Sequence, residues 1–271
     1  MSNVMFYEQP IALNRDLHRS KKVAPAQSLA FAKNANAVHI VGAEFGDASK
    51  EYAVVFSPQS DGSISPVVVL GFRNNENLML ADDKWLGKYL PAFIRRYPFV
   101  LAETSADQKT VCIDQAYSGF NDTVGEPLFD ADGANTVFFQ NALDFLNQYQ
   151  VENLRTAQFC KRLQDSGILV QMNAKADLFD GSSFSLNGLL IVDEKKMLAL
   201  GDREALELFR AGELSWIYAH LMSLANLNGL VERLAALRRA ETATEKSTDE
   251  KTADEKTPVS KPAKVAKKSL V

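Results

Sequence analysis

NTVFFQNALDFLNQYQVENLRTAQFCKRLQDSG (135–167) is the stretch whose reading decides the fold. Phe139, Ala142, Leu143, Leu146, Tyr149, Ala157, Cys160 and Leu163 recur mostly three and four residues apart, which places them on one face of an α-helix. Asn135 or Thr136 offers a side-chain oxygen to the first unpaired N–H groups, and Gly167 offers a stop. The pattern predicts one helix to about Ser166, long enough that a bend near Glu152–Asn153 is expected.

Outward from this helix the texture changes to short β-rich runs. VHIVGAEF (38–45), EYAVVFS (51–57), PVVVLGF (66–72), FVLAET (99–104) and TVCID (110–114) precede it, and ILVQMNA (168–174) and SFSLNGLLIVD (183–193) follow. The connections GDASK and PQSDGSIS have turn composition and are too short for a parallel crossover, so the strands are read as antiparallel neighbours. The run Val67–Leu70 lacks alternation and is expected to be covered on both faces. The resulting fold class is α+β: a mainly antiparallel sheet packed by the long central helix and by C-terminal helices.

The remaining segments complete a domain over residues 1–239. Residues 1–35 read as an irregular arm anchored by Phe6 and Tyr7. DDKWLGKYLPAFIRRYP (82–98) carries a helical stripe that kinks or restarts at Pro91 and stops at Pro98. Asp202 is expected to cap REALELFRA (203–211), with Gly212 as its stop, and a last helix is expected from Leu214 to about Arg239. From Ala240 the chain has no aromatic residue, and EKSTD, EKTAD and EKTPV follow one another at a five-residue period. Residues 240–271 therefore read as a disordered charged tail.

Composition narrows the function classes. The formal charge of the 271-residue chain is −4, the tail carries net +1, and the body is acidic, which argues against nucleic-acid binding. Two cysteines, Cys112 and Cys160, exclude a disulfide framework and read as small buried apolar residues. FDADG (129–133) lacks the further carboxylates and distal Glu of a calcium loop and reads as a turn; no metal site and no cofactor are expected. The longest uncharged run, Leu214–Val231, is broken by Ser215, His220 and Asn226, so the chain is not expected to span a membrane. The opening residues MSNVMFYEQPIALNRDLHRSKK do not have the order of a secretory signal, and a cytoplasmic location is expected. No Gly-rich phosphate loop, GxSxG or HExxH occurs, and no catalytic residue is assigned.

The candidate ligand-binding residues are Arg95, Arg96, Tyr97 and His220. Two adjacent guanidinium groups suit a carboxylate or phosphate; the competing reading is ion pairing with the many acidic side chains. Arg96, at the helix end before Pro98, is expected to be chiefly structural, leaving Arg95 as the ligand contact. His220 is either a cleft base or ligand, or a hydrogen-bonded histidine at the core boundary; the latter is preferred, because no second histidine or carboxylate is near it in sequence.

FYEQPIALNRDLHR (6–19), YLPAFIRRYPFVLAE (89–103), CIDQ (112–115), GEPLFDADG (125–133), ALDFLNQYQ (142–150), LLIVDEKKMLAL (189–200) and IYAHLMSLANL (217–227) together resemble the SapC family. The resemblance runs in order through residues 5–235 and stops at the tail. It implies a non-enzymatic binding or accessory protein that handles a peptide or an anionic small molecule. It also implies a functional link to tryptophan halogenases and outer-membrane receptors, whose genes commonly neighbour those of the family. Its alternatives are an enzyme acting on such a ligand, and a component of the surface layer after which the family is named.

Overall fold

The computed structural model describes residues 5–105 and 108–254. The chain divides into a unit over Met1–Val231 and a second over Glu232–Val271. The first unit is an α+β fold, and every strand pairing among the described residues is antiparallel.

In chain order the strands are β1 (Pro10–Ala12), β2 (Lys22–Val23), β3 (Ala37–His39), β4 (Val54–Pro58), β5 (Ile64–Val69), β6 (Leu80–Ala81), β7 (Lys84–Trp85), β8 (Phe99–Ser105), β9 (Gln108–Asp114), β10 (Phe120–Asn121), β11 (Glu126–Pro127), β12 (Leu169–Asp177) and β13 (Ser183–Val192). The helices are α1 (Phe45–Ala48), α2 (Ala92–Arg95), α3 (Val137–Asp165), α4 (Glu194–Leu198), α5 (Asp202–Arg210), α6 (Glu213–Ser223) and α7 (Asn226–Asp254). The main sheet has the order β12-β13-β4-β5-β3, and a smaller one has the order β1-β9-β8.

α3 is the long helix expected from residues 135–167. Thr136 caps it by accepting from the Phe139 N–H at 3.2 Å, and Gly167 leaves it at φ 65°, a conformation that glycine adopts without a Cβ penalty. The helix is continuous through Glu152–Asn153. Its two halves serve two cores. The C-terminal half sends Phe159, Cys160 and Leu163 into the core above the main sheet, where Phe159 meets Trp216 edge-on at 5.2 Å. The N-terminal half sends Phe139 and Leu146 into a second cluster with Phe99, Ile113, Leu128 and Phe129.

Four expectations are corrected. Residues 82–98 are not one helix: Asp82 and Asp83 lie at φ 48° and 60° and turn the chain between β6 and β7. Only the four-residue α2 follows, with Pro91 as its cap rather than its first helical residue. The run 38–45 stops being a strand at His39; Ile40 N still donates to Pro66 O at 3.1 Å, but side chains take the two donors after it. Glu44 Oε2 accepts from Val41 N at 2.9 Å, and Thr156 Oγ1 accepts from Gly42 N at 2.8 Å. Gly201, not Asp202, is the N-cap of α5. Finally, the last helix is two, α6 and α7, interrupted at Leu224–Ala225. The Ser223 hydroxyl donates to His220 O at 2.6 Å and accepts from Val54 N, and the Asn226 amide then binds Ser49 O at 2.7 Å and Tyr52 O at 3.0 Å.

α7 extends to Asp254, past the Arg239 expected from the apolar stripe. Residues 240–254 hold Ala, Glu, Lys and no Gly or Pro, so nothing in them stops a helix. The tail expectation for 255–271 lies outside the described residues. The Asp130–Gly133 segment forms a side-chain-supported turn, with Asp130 Oδ1 accepting from Asp132 N at 3.0 Å and Ala134 N at 2.8 Å. No helix among the described residues is long and apolar enough to cross a membrane.

Candidate functional site

Near the middle of α3, Tyr149 packs with Ala92 of α2. Ile94 points into the main core and is almost fully buried. The two following directions of this short helix are therefore free to carry its arginines outward. Arg95 is exposed, with its guanidinium carbon 5.3 Å from the Phe145 ring and 5.8 Å from the Tyr89 ring. Arg96 is half-buried, 4.0 Å over the Phe93 ring and 5.4 Å from the Tyr149 ring.

Arg96 Nε is buried and has no hydrogen-bond acceptor, and no carboxylate lies within ion-pair distance of it among the described residues. Glu44 is the buried carboxylate whose charge is felt at Tyr149. Its oxygens are taken by Val41 N, Ala92 N and the Tyr89 hydroxyl, the last two at 2.7 Å. Of the two structural ties expected for Arg96, to the helix end or to a carboxylate, the carboxylate one is absent among the described residues. Aromatic faces and a hydrogen bond with the Tyr7 hydroxyl hold the side chain instead.

Two cavities flank Arg96, and among the described residues it is the one that lines both. The first, about 380 Å³, lies between the middle of α3 and β5, and its walls include His39, Ser65, Tyr149, Asn153 and Thr156. The second, about 390 Å³, lies under the N-terminal half of α3, and its walls include Arg95, Tyr97, Phe99, Phe138 and Phe145.

In the first cavity His39 Nδ1 and the Tyr149 hydroxyl share a 2.8 Å hydrogen bond. Burial, aided by the Arg96 charge, holds the His39 imidazole down at about 4. Burial likewise pushes the Tyr149 phenol above its ordinary value, against the pull of Arg96. Cys160 is pushed up to about 12 by burial and by the Glu213 charge. The histidine, phenol and thiol are therefore all neutral at pH 7. On the other side of Arg96 the buried Tyr7 hydroxyl donates to Phe99 O at 2.6 Å; burial raises this phenol and the Arg96 charge opposes the shift.

Of the four residues singled out from sequence, Arg95, Arg96 and Tyr97 come together at the second cavity. Tyr97 is fixed there by stacking on Phe31 at 4.1 Å and by donating to Asp114 Oδ2 at 3.1 Å. His220 stands apart. It is fully buried under the main sheet, where Nε2 accepts from Val192 N at 3.0 Å and Nδ1 therefore carries the proton given to Val54 O at 2.7 Å. Leu190 pairs with Phe56 across β13 and β4, so the antiparallel register sets Val192 opposite Val54. The imidazole spans that pair as a rung of the ladder.

Burial holds His220 at about 4, as it does His39. An unfolded histidine near 6.5 takes up its proton first, so stability is complete above 6.5 and falls on acidification toward 4, by about 3 kcal/mol per histidine. Urea midpoints at pH 7.5 and 4.5 measure this, and His220→Gln should flatten the slope. An unchanged slope would remove His220 from the explanation.

His39 and Tyr149 are the site residues that the sequence reading missed. They are 110 residues apart, so no local motif joins them, and Tyr149 reads only as one more member of a helix stripe. Among the described residues no group of three or more His, Cys, Asp or Glu side chains is placed to hold a metal ion.

A family model described as SapC matches residues 13–230. The chain belongs to the SapC family. No curated protein and no solved structure gives a match to it. Within the span matched to SapC lie Arg96, His39, His220, Tyr149 and all of α3, whereas Phe6 and Tyr7 precede it.

Proposed function

We propose that this SapC-family protein is a non-enzymatic binding or accessory protein that takes an anionic ligand, the carboxylate or phosphate of a small molecule or peptide, at Arg96. The observation that carries this reading is the half-buried guanidinium whose Nε–H has no acceptor, set at the wall of two cavities. An unsatisfied buried donor costs about 1–3 kcal/mol, and a charged one more. An arriving anion makes charge-assisted bonds to a guanidinium already held by Phe93 and Tyr149. The neighbouring groups favour binding over proton transfer. General acid–base work needs a group that titrates near the operating pH, whereas His39 sits at about 4 and Cys160 at about 12.

Thermal melts and calorimetric titrations with acetate and inorganic phosphate test the reading. Both anions should raise the melting temperature of the wild type. Arg96→Met should lose about tenfold or more in affinity, the scale of one charge-assisted bond. Arg95→Met, at an exposed position, should lose less. Equal affinity of Arg96→Met and wild type would overturn the proposal.

A further inference from the structure

Resting on Arg96 as the anion site, we propose that the ligand is an amphipathic monocarboxylate. Its carboxylate lies on Arg96, and its apolar body fills the cavity under the N-terminal half of α3. Small-molecule sites are concave, mostly apolar and provided with a few placed polar groups, and they fall in the range of roughly 300–1,000 Å³. The second cavity has that character at about 390 Å³. Pro98, Phe99, Phe138, Ala142, Phe145 and Leu146 give it apolar walls, and both arginines stand at its edge.

Charge sets the valence of the ligand. The charged residues on this lining are Arg95, Arg96 and Glu126, a net of one positive charge. One carboxylate balances it, whereas a second negative group would also meet the like charge of Glu126. The tail also has a defined side to enter. The cavity across Arg96 is walled by Gln59, Ser63, Ser65, Gln150 and Asn153, whose amides and hydroxyls an apolar body would strip of water without replacing their hydrogen bonds. The apolar cavity imposes no such loss and gains from each buried methylene. A guanidinium shared between a polar and an apolar chamber therefore orients the ligand as well as holding it.

The test uses the full chain and the series acetate, butyrate, hexanoate and 3-phenylpropionate, with inorganic phosphate alongside, titrated by calorimetry. For the wild type we expect affinity to rise about tenfold or more from acetate to hexanoate, since burying one methylene is worth roughly a factor of four. Ala142→Phe narrows the apolar chamber and should abolish the chain-length gain. The wild-type series needs no variant, so a poorly folded Ala142→Phe protein does not remove the test. Equal affinity across the series, with all binding lost in Arg96→Met, would overturn the amphipathic ligand and leave the anion site standing. A chain-length gain that persists in a folded Ala142→Phe protein would also overturn it. Absence of any carboxylate or phosphate binding by the wild type would overturn this proposal and the anion site together.

Discussion

Arg162→Met is expected to lower stability by about 3–5 kcal/mol, because it leaves a carboxylate buried without its counter-charge. Glu213 opens α6 immediately after Gly212, which turns the chain at φ 74°, and its side chain is 1% exposed against 37% for Arg162. Arg162 Nε donates to Oε2 at 2.8 Å, and a second guanidinium N–H meets the other oxygen, so the pair is bidentate. The buried position of Glu213 in the first turn of α6 suits the helix dipole, but the dipole alone is too weak to hold a charge out of water. The pair draws the C-terminal end of α3 onto α6, so its loss should appear in global urea unfolding. Removing both charges with Arg162→Met and Glu213→Leu should recover a large part of the cost, because no stranded ion remains. A single substitution costing under about 1 kcal/mol would show that Glu213 has another partner or admits water.

Asp114→Ala should cost a similar amount, about 3–5 kcal/mol, by a different route. Asp114 is fully buried at the end of β9 and accepts four hydrogen bonds. Its Oδ1 takes Gln9 N at 2.8 Å and Ala116 N at 3.2 Å, and its Oδ2 takes Glu8 N and the Tyr97 hydroxyl, both at 3.1 Å. Two of these donors, Glu8 N and Gln9 N, belong to an arm with little secondary structure of its own, and alanine would take the acceptor from all four. The same carboxylate fixes the arm that delivers Phe6 to Phe31 and Phe93, and Tyr7 to Phe99. Asp114→Asn, which keeps one good acceptor, should cost less than Asp114→Ala. Equilibrium unfolding gives the energies, and limited proteolysis should show cleavage before Gln9 appearing in Asp114→Ala. A variant of wild-type stability with a protected arm would contradict this role.

The parts of the fold that were legible in the sequence are those in which local chemistry and tertiary packing agree. Thr136, Gly167 and the stripe between them name α3 without reference to anything else in the chain. The runs at 51–57, 66–72, 99–104 and 183–193 likewise become β4, β5, β8 and β13, because their turns are composed as turns. Sequence reasoning failed where a distant partner decides. Trp85, Leu86, Tyr89 and Leu90 have helical spacing, yet Trp85 donates to the Tyr52 hydroxyl at 2.9 Å and Lys88 N to Glu51 Oε2 at 2.7 Å. The segment is thus laid over the core as a loop. His220 lies on a helix whose apolar stripe is visible, but its role as a rung depends on the register of two strands elsewhere. The site divides in the same way. The Arg95–Arg96 pair shows in the sequence as a charge cluster. That Arg96 is the member whose buried Nε has no acceptor, caught between Phe93 and Tyr149, depends on Tyr149 of α3 packing against α2 at this point.

The most direct measurement is a ¹⁵N–¹H spectrum of the arginine Nε–H groups of the full chain, with Arg96 assigned by its loss in Arg96→Met, recorded before and after adding acetate and hexanoate. An Arg96 Nε–H slow to exchange with solvent, lacking the downfield shift of a hydrogen-bonded group, and moving downfield as either carboxylate is added, is the result predicted here. A resonance already shifted downfield in the free protein and indifferent to both anions would show that Arg96 is satisfied from within, and would contradict the site.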